Sequence, residues 1–159
     1  MYDIGGRLKE MGLAIPVAPT PVASYLPAIR TGNLVFTSGQ LPVVQGQLMK
    51  KGKVGQELEV VEAKALARVC ALNCLAAIAT VVKLNEISRI IRIVGYVHAA
   101  DGFTAHPAVV EGASELLIEI WGESGKHARS SVGVAGLPLD SPIEIELVVE
   151  ICGINQVQV

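Results

Sequence analysis

Apolar residues recur along this chain in two rhythms, one of three to four residues and one of two. From residue 57 to residue 82 the apolar positions Leu58, Val61, Ala65, Val69, Leu72, Ala76, Ala79 and Val82 predict one long amphipathic helix with an alanine-rich interior. A second helix opens at Pro107, whose missing N–H costs nothing in a first turn. There Val109, Val110, Ala113, Leu116, Leu117, Ile120 and Trp121 form one face, and Glu111, Glu115 and Glu123 the other.

The two-residue rhythm marks the strands. Residues 25–29 and 34–37 flank Thr31, Gly32 and Asn33, a tight-turn sequence, and read as a β-hairpin. Residues 89–98 are rich in Ile and Val on both alternating faces, with Ile91, Ile93 and Val97 on one and Ile90, Val94 and Tyr96 on the other. Such a strand is covered on both sides. Residues 128–135 and 142–151 are two more strands joined by a turn-rich loop; Ile143, Ile145, Leu147, Val149 and Ile151 share a face opposite Glu144, Glu146 and Glu150. Four glycines and Pro42 make residues 38–55 a loop, with irregular pairing near 47–49, and the prolines of 16–21 make that segment extended.

The order is ββαβαββ: an α+β domain with one mixed sheet and two helices on one face, in residues 23–159, after an N-terminal extension of residues 1–22. Two helices cover one face only, so the other is expected to meet further copies of the chain.

Composition sharpens this picture. The chain has 159 residues, 51% hydrophobic and only 18% charged, a greasy surface for a monomer. A net charge of −2, with Lys50, Lys51 and Lys53 as the one basic run, offers little to a phosphate backbone. Nucleic acid is therefore not an expected partner. The uncharged apolar stretch at residues 69–82 carries Asn73 and Thr80 and is too short for a bilayer span, and residues 1–16 lack the apolar core of a signal peptide. A cytoplasmic location without membrane contact is the expectation. Cys70, Cys74 and Cys152 read as three buried thiols, and no metal is expected.

No Gly-x-Ser-x-Gly, His-Glu-x-x-His or phosphate-binding glycine loop is present, and His98, His106 and His127 are scattered. What remains is polar chemistry inside apolar strands. Arg129 requires an anionic partner. That partner is either a structural glutamate of the last strand, Glu144 or Glu146, or a ligand carboxylate held bidentately while Glu144 orients water. At the end of an early strand Gly39 would let a ligand approach the backbone, and Ser38 offers a hydrogen-bond donor.

Residues 32–42, 127–133, Leu137-Pro138 and 143–146 resemble the Rid/YjgF reactive-intermediate deaminases, also labelled endoribonuclease L-PSP-like, and the similarity runs from about Ala23 to Ile151. The resemblance implies a chorismate-mutase-like fold and a homotrimer with sites in clefts between subunits. It implies hydrolytic deamination of small 2-imino or enamine acids to 2-keto acids and ammonia, with no cofactor. By position Arg129 matches the carboxylate-binding arginine and Glu144 the water-orienting glutamate, while Tyr25, Ser38, Gly39 and Ser131 match substrate-binding positions. Ser131 stands where the best-known members carry cysteine, and Glu111 to Ser114 offer no counterpart to their helical asparagine. The expected partner is a small anionic metabolite. The alternative is non-catalytic binding of a small carboxylate; ribonuclease activity fits poorly with so few aromatic residues.

Overall fold

A computed structural model describes residues 3–18 and 24–152. The expected hairpin forms from β1 (Ala28–Thr31) and β2 (Leu34–Thr37), with Gly32 at positive φ in the turn. Strand β1 begins three residues later than the pattern predicts, directly after Pro27, which has no N–H to give a ladder. The loop that follows contains a small hairpin, β3 (Val43–Val44) with β4 (Gln47–Leu48), turned by Gln45 and Gly46, both at positive φ. The long helix is α2 (Val60–Ile78), then come β5 (Ile87–His98), α3 (His106–Trp121), β6 (Ala128–Val134) and β7 (Ile143–Ile151).

The five long strands form one mixed sheet in the order β1-β2-β7-β5-β6, antiparallel except for the parallel β5–β6 pair. Helix α2 packs on β7 and β2, and α3 on β5 and β6. The buried residues Val35, Val149 and Ile90 lie in register across three strands, as do Leu147 and Ile93, so both helices cover the same face. Each such aliphatic side chain contributes about 1.5–3 kcal/mol on burial. The other face exposes Ile29 and Phe36, which pair across the β1–β2 hairpin, together with Val132.

Three expectations are corrected. Ile90 belongs to the helix-covered face with Ile93, not with Val94 and Tyr96, because β5 shifts register between Ile90 and Arg92 and the extra residue inverts the alternation. In α2 the buried stripe is Ala63, Leu66, Ala67, Cys70, Ala71 and Cys74, while Val61 and Ala65 are exposed. An alanine-rich helix is apolar in several phases, and the small residues win because they admit close packing: a Cβ on Gly112 of α3 would run into the Lys64 carbonyl. Cys152 is exposed, being the residue after β7 ends, whereas Cys70 and Cys74 are buried and burial pushes their thiols up.

The N-terminal extension is not featureless. Helix α1 (Ile4–Glu10) is capped by the Asp3 carboxylate, which accepts from Gly6 N at 3.0 Å, and it buries Ile4 and Leu8 in the common core. Arg7 donates to the Glu119 carbonyl from Nε and Nη2 at 3.2 and 3.1 Å, tying α1 to α3. The expected extended segment at 16–21 falls partly outside the described residues.

Candidate functional site

The first cluster of polar groups is created by a flaw in the β2–β7 ladder. Phe36 pairs with Val148, but the next bridge joins Gln40 to Ile145, so β2 carries one residue more than its partner. Thr37 repairs the gap: its Oγ1 accepts the Leu147 N–H at 3.0 Å. Ser38 and Gly39 are thereby lifted out of the ladder, as bulges near sites commonly do. The Ser38 hydroxyl is already engaged, donating to the Leu26 carbonyl at 2.6 Å, and Ser38 N donates to Pro27 O at 2.9 Å. These bonds hold the segment carrying Tyr25, which is 51% exposed.

Gly39 has a steric reason to be glycine. Any Cβ there would collide with the Glu144 carboxylate, which lies against its backbone. Glu144 alternates onto the open face of β7, opposite Tyr96 of β5. Burial raises its pKa, and the charge of nearby Glu146 raises it further. It makes no ion pair among the described residues. Beside it Tyr96 donates to Glu146 Oε1 at 3.2 Å, at the edge of an open-face groove of about 350 Å³ that also includes Phe36 and Arg92.

The second cluster lies across the sheet, at the free edge of β6. Arg129 is in register with fully buried Ile93, which puts its side chain on the helix side. There Nη1 donates to Glu111 Oε2 at 2.5 Å and to Ser114 Oγ at 3.0 Å, both from α3. Ser114 Oγ is also 3.0 Å from His127 Nε2, while His127 Nδ1 is 2.6 Å from the Gly125 carbonyl. The consistent assignment has Nδ1–H donating to Gly125 and Ser114 donating to a bare Nε2, hence a neutral ring. Burial lowers the His127 pKa, outweighing its bond to Gly125. Ser131, two residues along the strand, has a buried Oγ without a hydrogen-bond partner among the described residues.

Thus neither Glu144 nor Glu146 is the partner of Arg129 within one chain. Its partner is Glu111, and Arg129 and Glu144 face opposite sides of the sheet, with β5 between their strands. Ser38, Gly39 and Glu144 come together, with Tyr25 next in sequence to the Leu26 that Ser38 binds; Arg129 and Ser131 form a separate group. The network of Glu111, Ser114 and His127 around Arg129 was not foreseen. Its signal is faint but real, since Glu111 and Ser114 are one helical turn apart and His127 stands two residues before Arg129 at the start of a strand. No three His, Cys, Asp or Glu side chains among the described residues gather closely enough to hold a metal ion, and no helix there is long and apolar enough to cross a membrane.

Comparison with known proteins places this architecture. The family described as "YjgF/chorismate mutase-like, putative endoribonuclease" matches residues 5–151. The crystal structure of Atu1372, a protein of unknown function from Agrobacterium tumefaciens, superposes with a TM-score of 0.86 at 41% identity, covering 94% of this chain and 92% of that one. Protein TCP17 of Trypanosoma cruzi is 33% identical over 93% of this chain and 94% of its own length. A 2-iminobutanoate/2-iminopropanoate deaminase of Dermatophagoides farinae is 31% identical over 87% of this chain and 94% of its own length. A match that begins inside α1, ends on the last residue of β7 and takes in both polar clusters makes this chain a member of the YjgF/chorismate mutase-like family.

Proposed function

We propose that the chain hydrolyses small 2-imino or enamine acids to 2-keto acids and ammonia, in a cleft where Glu144 of one subunit of a homotrimer meets Arg129 of the next. The observation that carries this reading is Glu144, a half-buried carboxylate pressed against Gly39, weakened as an acid by burial and without an ion pair among the described residues. A carboxylate whose pKa is raised in this way is a better proton acceptor than an exposed one. The kinship with a protein named as a 2-iminobutanoate/2-iminopropanoate deaminase supports the same chemistry. The exposed apolar residues of the open face support assembly, because Ile29, Phe36 and Val132 gain by meeting other copies.

The steps are simple because an imine carbon is already electrophilic. Arg129 holds the substrate carboxylate. Glu144 takes a proton from water as the oxygen bonds to the imine carbon and the C=N pair moves onto nitrogen. From the protonated imine this gives a neutral carbinolamine; Glu144 then gives its proton to the nitrogen, the C–N bond breaks as an oxygen lone pair forms the keto group, and the hydroxyl proton passes back to Glu144 as ammonia leaves. Positioning and one proton carrier suffice.

Non-catalytic binding of a small carboxylate is the second reading, favoured by the engagement of the Ser38 hydroxyl with Leu26, which leaves one donor fewer for a reacting ligand. The deciding assay generates 2-aminoacrylate or its four-carbon homologue in place and follows keto acid and ammonia together. Acceleration above the spontaneous rate by the wild-type protein is the expected result; a rate equal to that in buffer, with a carboxylate still bound, selects the second reading.

A further inference from the structure

We propose that Glu111 is a specificity-determining residue that makes the Arg129 end of the cleft select ligands carrying a cationic nitrogen beside their carboxylate over plain monoanions. The inference rests on Arg129 as the carboxylate anchor.

The geometry divides the guanidinium in two. Both bonds that Arg129 makes leave from Nη1, to Glu111 and Ser114, and the Nη2–Nε edge has no protein acceptor among the described residues. That edge is the planar fork a carboxylate can take bidentately while Glu111 stays in place. Glu111 is held to this task by packing, since Gly112 presses α3 against the α2 backbone one residue away. A ligand carboxylate would then lie across the guanidinium from Glu111, about 5–6 Å between charges, inside the screening length of about 8 Å.

The charges around the groove nearly cancel before any ligand arrives. The space, about 320 Å³, is lined by Glu111, Ser114, Ile118, Lys126, His127 and Arg129. Glu111 balances Arg129, and Lys126 is paired with Glu123 at 2.7 Å. His127 is neutral through burial and the hydrogen-bond arrangement of its ring. At this end of the cleft a monoanion adds net negative charge whereas a zwitterion adds none, and an ionised Glu144 brought by the neighbour would strengthen that preference. A 2-imino acid in its protonated form is such a zwitterion, while the 2-keto acid product is a monoanion. Glu111 therefore favours entry of substrate and departure of product.

L-Alanine and pyruvate are matched probes, alike in size and carboxylate and different in the nitrogen. Their affinities for the intact wild-type protein, measured by NMR titration, are expected to favour alanine at least tenfold. Glu111→Gln removes the charge and keeps the shape, and should lower that ratio about tenfold, chiefly by tightening pyruvate. Glu111→Asp keeps the charge and should restore the ratio even if both affinities fall. A ratio unchanged in Glu111→Gln, with both probes still bound, overturns the role of Glu111 and leaves Arg129 as anchor. If neither probe binds wild type or variant, the anchor reading has failed and the inference with it. Loss of both affinities in equal proportion would assign Glu111 a merely structural part.

Discussion

The two polar clusters of this domain solve the problem of half-buried charge in opposite ways. Around Arg129 the chain supplies its own counter-charge from Glu111 and completes the pattern with Ser114 and His127, so the guanidinium costs the fold little. Around Glu144 the described residues supply none: burial and Glu146 both disfavour the ionised carboxyl, and Gly39 gives up its side chain to make room. Uncompensated charge of this kind is a stability cost, and such costs gather where chemistry is done. The contrast also supports the proposed assembly. The cation and the carboxylate face opposite sides of one sheet, so they can act on one ligand only if a neighbour brings its own copy of one to the other.

The largest effect is expected from separating the copies. Phe36→Asp places a charge on the open face opposite Ile29, and the cost of burying it against another copy should prevent assembly. Light scattering should give three times 16.7 kDa for the wild type and 16.7 kDa for the variant. All accelerated imine hydrolysis should vanish with the trimer, the fold persisting by circular dichroism. A folded monomer that keeps its turnover would show that the clusters are not halves of one site.

Next in size is Arg129→Lys, which keeps charge but loses the planar fork. Loss of a charge-assisted bidentate contact costs about 2–4 kcal/mol, roughly thirty-fold to a thousand-fold in rate. Turnover at the wild-type level in a folded Arg129→Lys trimer would reduce Arg129 to a strut for α3.

Glu144→Gln sharpens the contrast because activity and stability should move apart. An amide cannot carry the proton, and turnover should fall about a hundredfold. The stability sign follows from the raised pKa. The folded state binds this proton more tightly than the unfolded chain, so the native form loses stability as pH rises from the unfolded value of about 4.3 through the higher folded one. Above that folded value the cost is fully present, and there Glu144→Gln should melt slightly higher than wild type. A variant both slower and less stable would mean that Glu144 has a stabilising partner.

Legibility in the sequence follows the same division. The strict alternation of Ile143 to Ile151 against Glu144, Glu146 and Glu150 is a property of one strand, so face and pattern could be read directly. The β5 register shift and the bulge that frees Ser38 and Gly39 are mismatches between strands, invisible in either strand alone. Helix α1 went unforeseen because Gly5 and Gly6 depress its local propensity; burial of Ile4 and Leu8 against the core decides it. Arg129, Glu144, Ser38 and Gly39 stand out in the sequence as polar or permissive residues within apolar strands, whereas Tyr25 and Ser131 are reached only through family resemblance. Glu111 as the partner of Arg129 required knowing that α3 lies on β6, a tertiary fact.

The smallest expected effect lies in the pH dependence of the Arg129 cluster. His127 is held neutral, its pKa lowered first by burial and also by the nearby Arg129 charge, against the opposing pull of Gly125 and Glu111. Because the unfolded chain binds this proton more readily, its contribution to stability is present above about pH 6.5 and is lost as pH falls toward the depressed folded value. His127→Asn keeps an N–H directed at the Gly125 carbonyl and removes the titration. The variant should melt lower than wild type at pH 7.5, because Ser114 loses its acceptor, yet the gap should narrow as pH falls toward 5. Melting curves of the two proteins, taken at intervals across that range in one ionic strength, test this directly. Parallel curves would show that folding leaves the His127 pKa unchanged, and a gap that widens toward pH 5 would show it raised, with the ring protonated in the folded state and the Ser114 hydroxyl accepting from it. That outcome would put a second positive charge beside Arg129 and erase the difference between a self-balanced cluster and an unbalanced one.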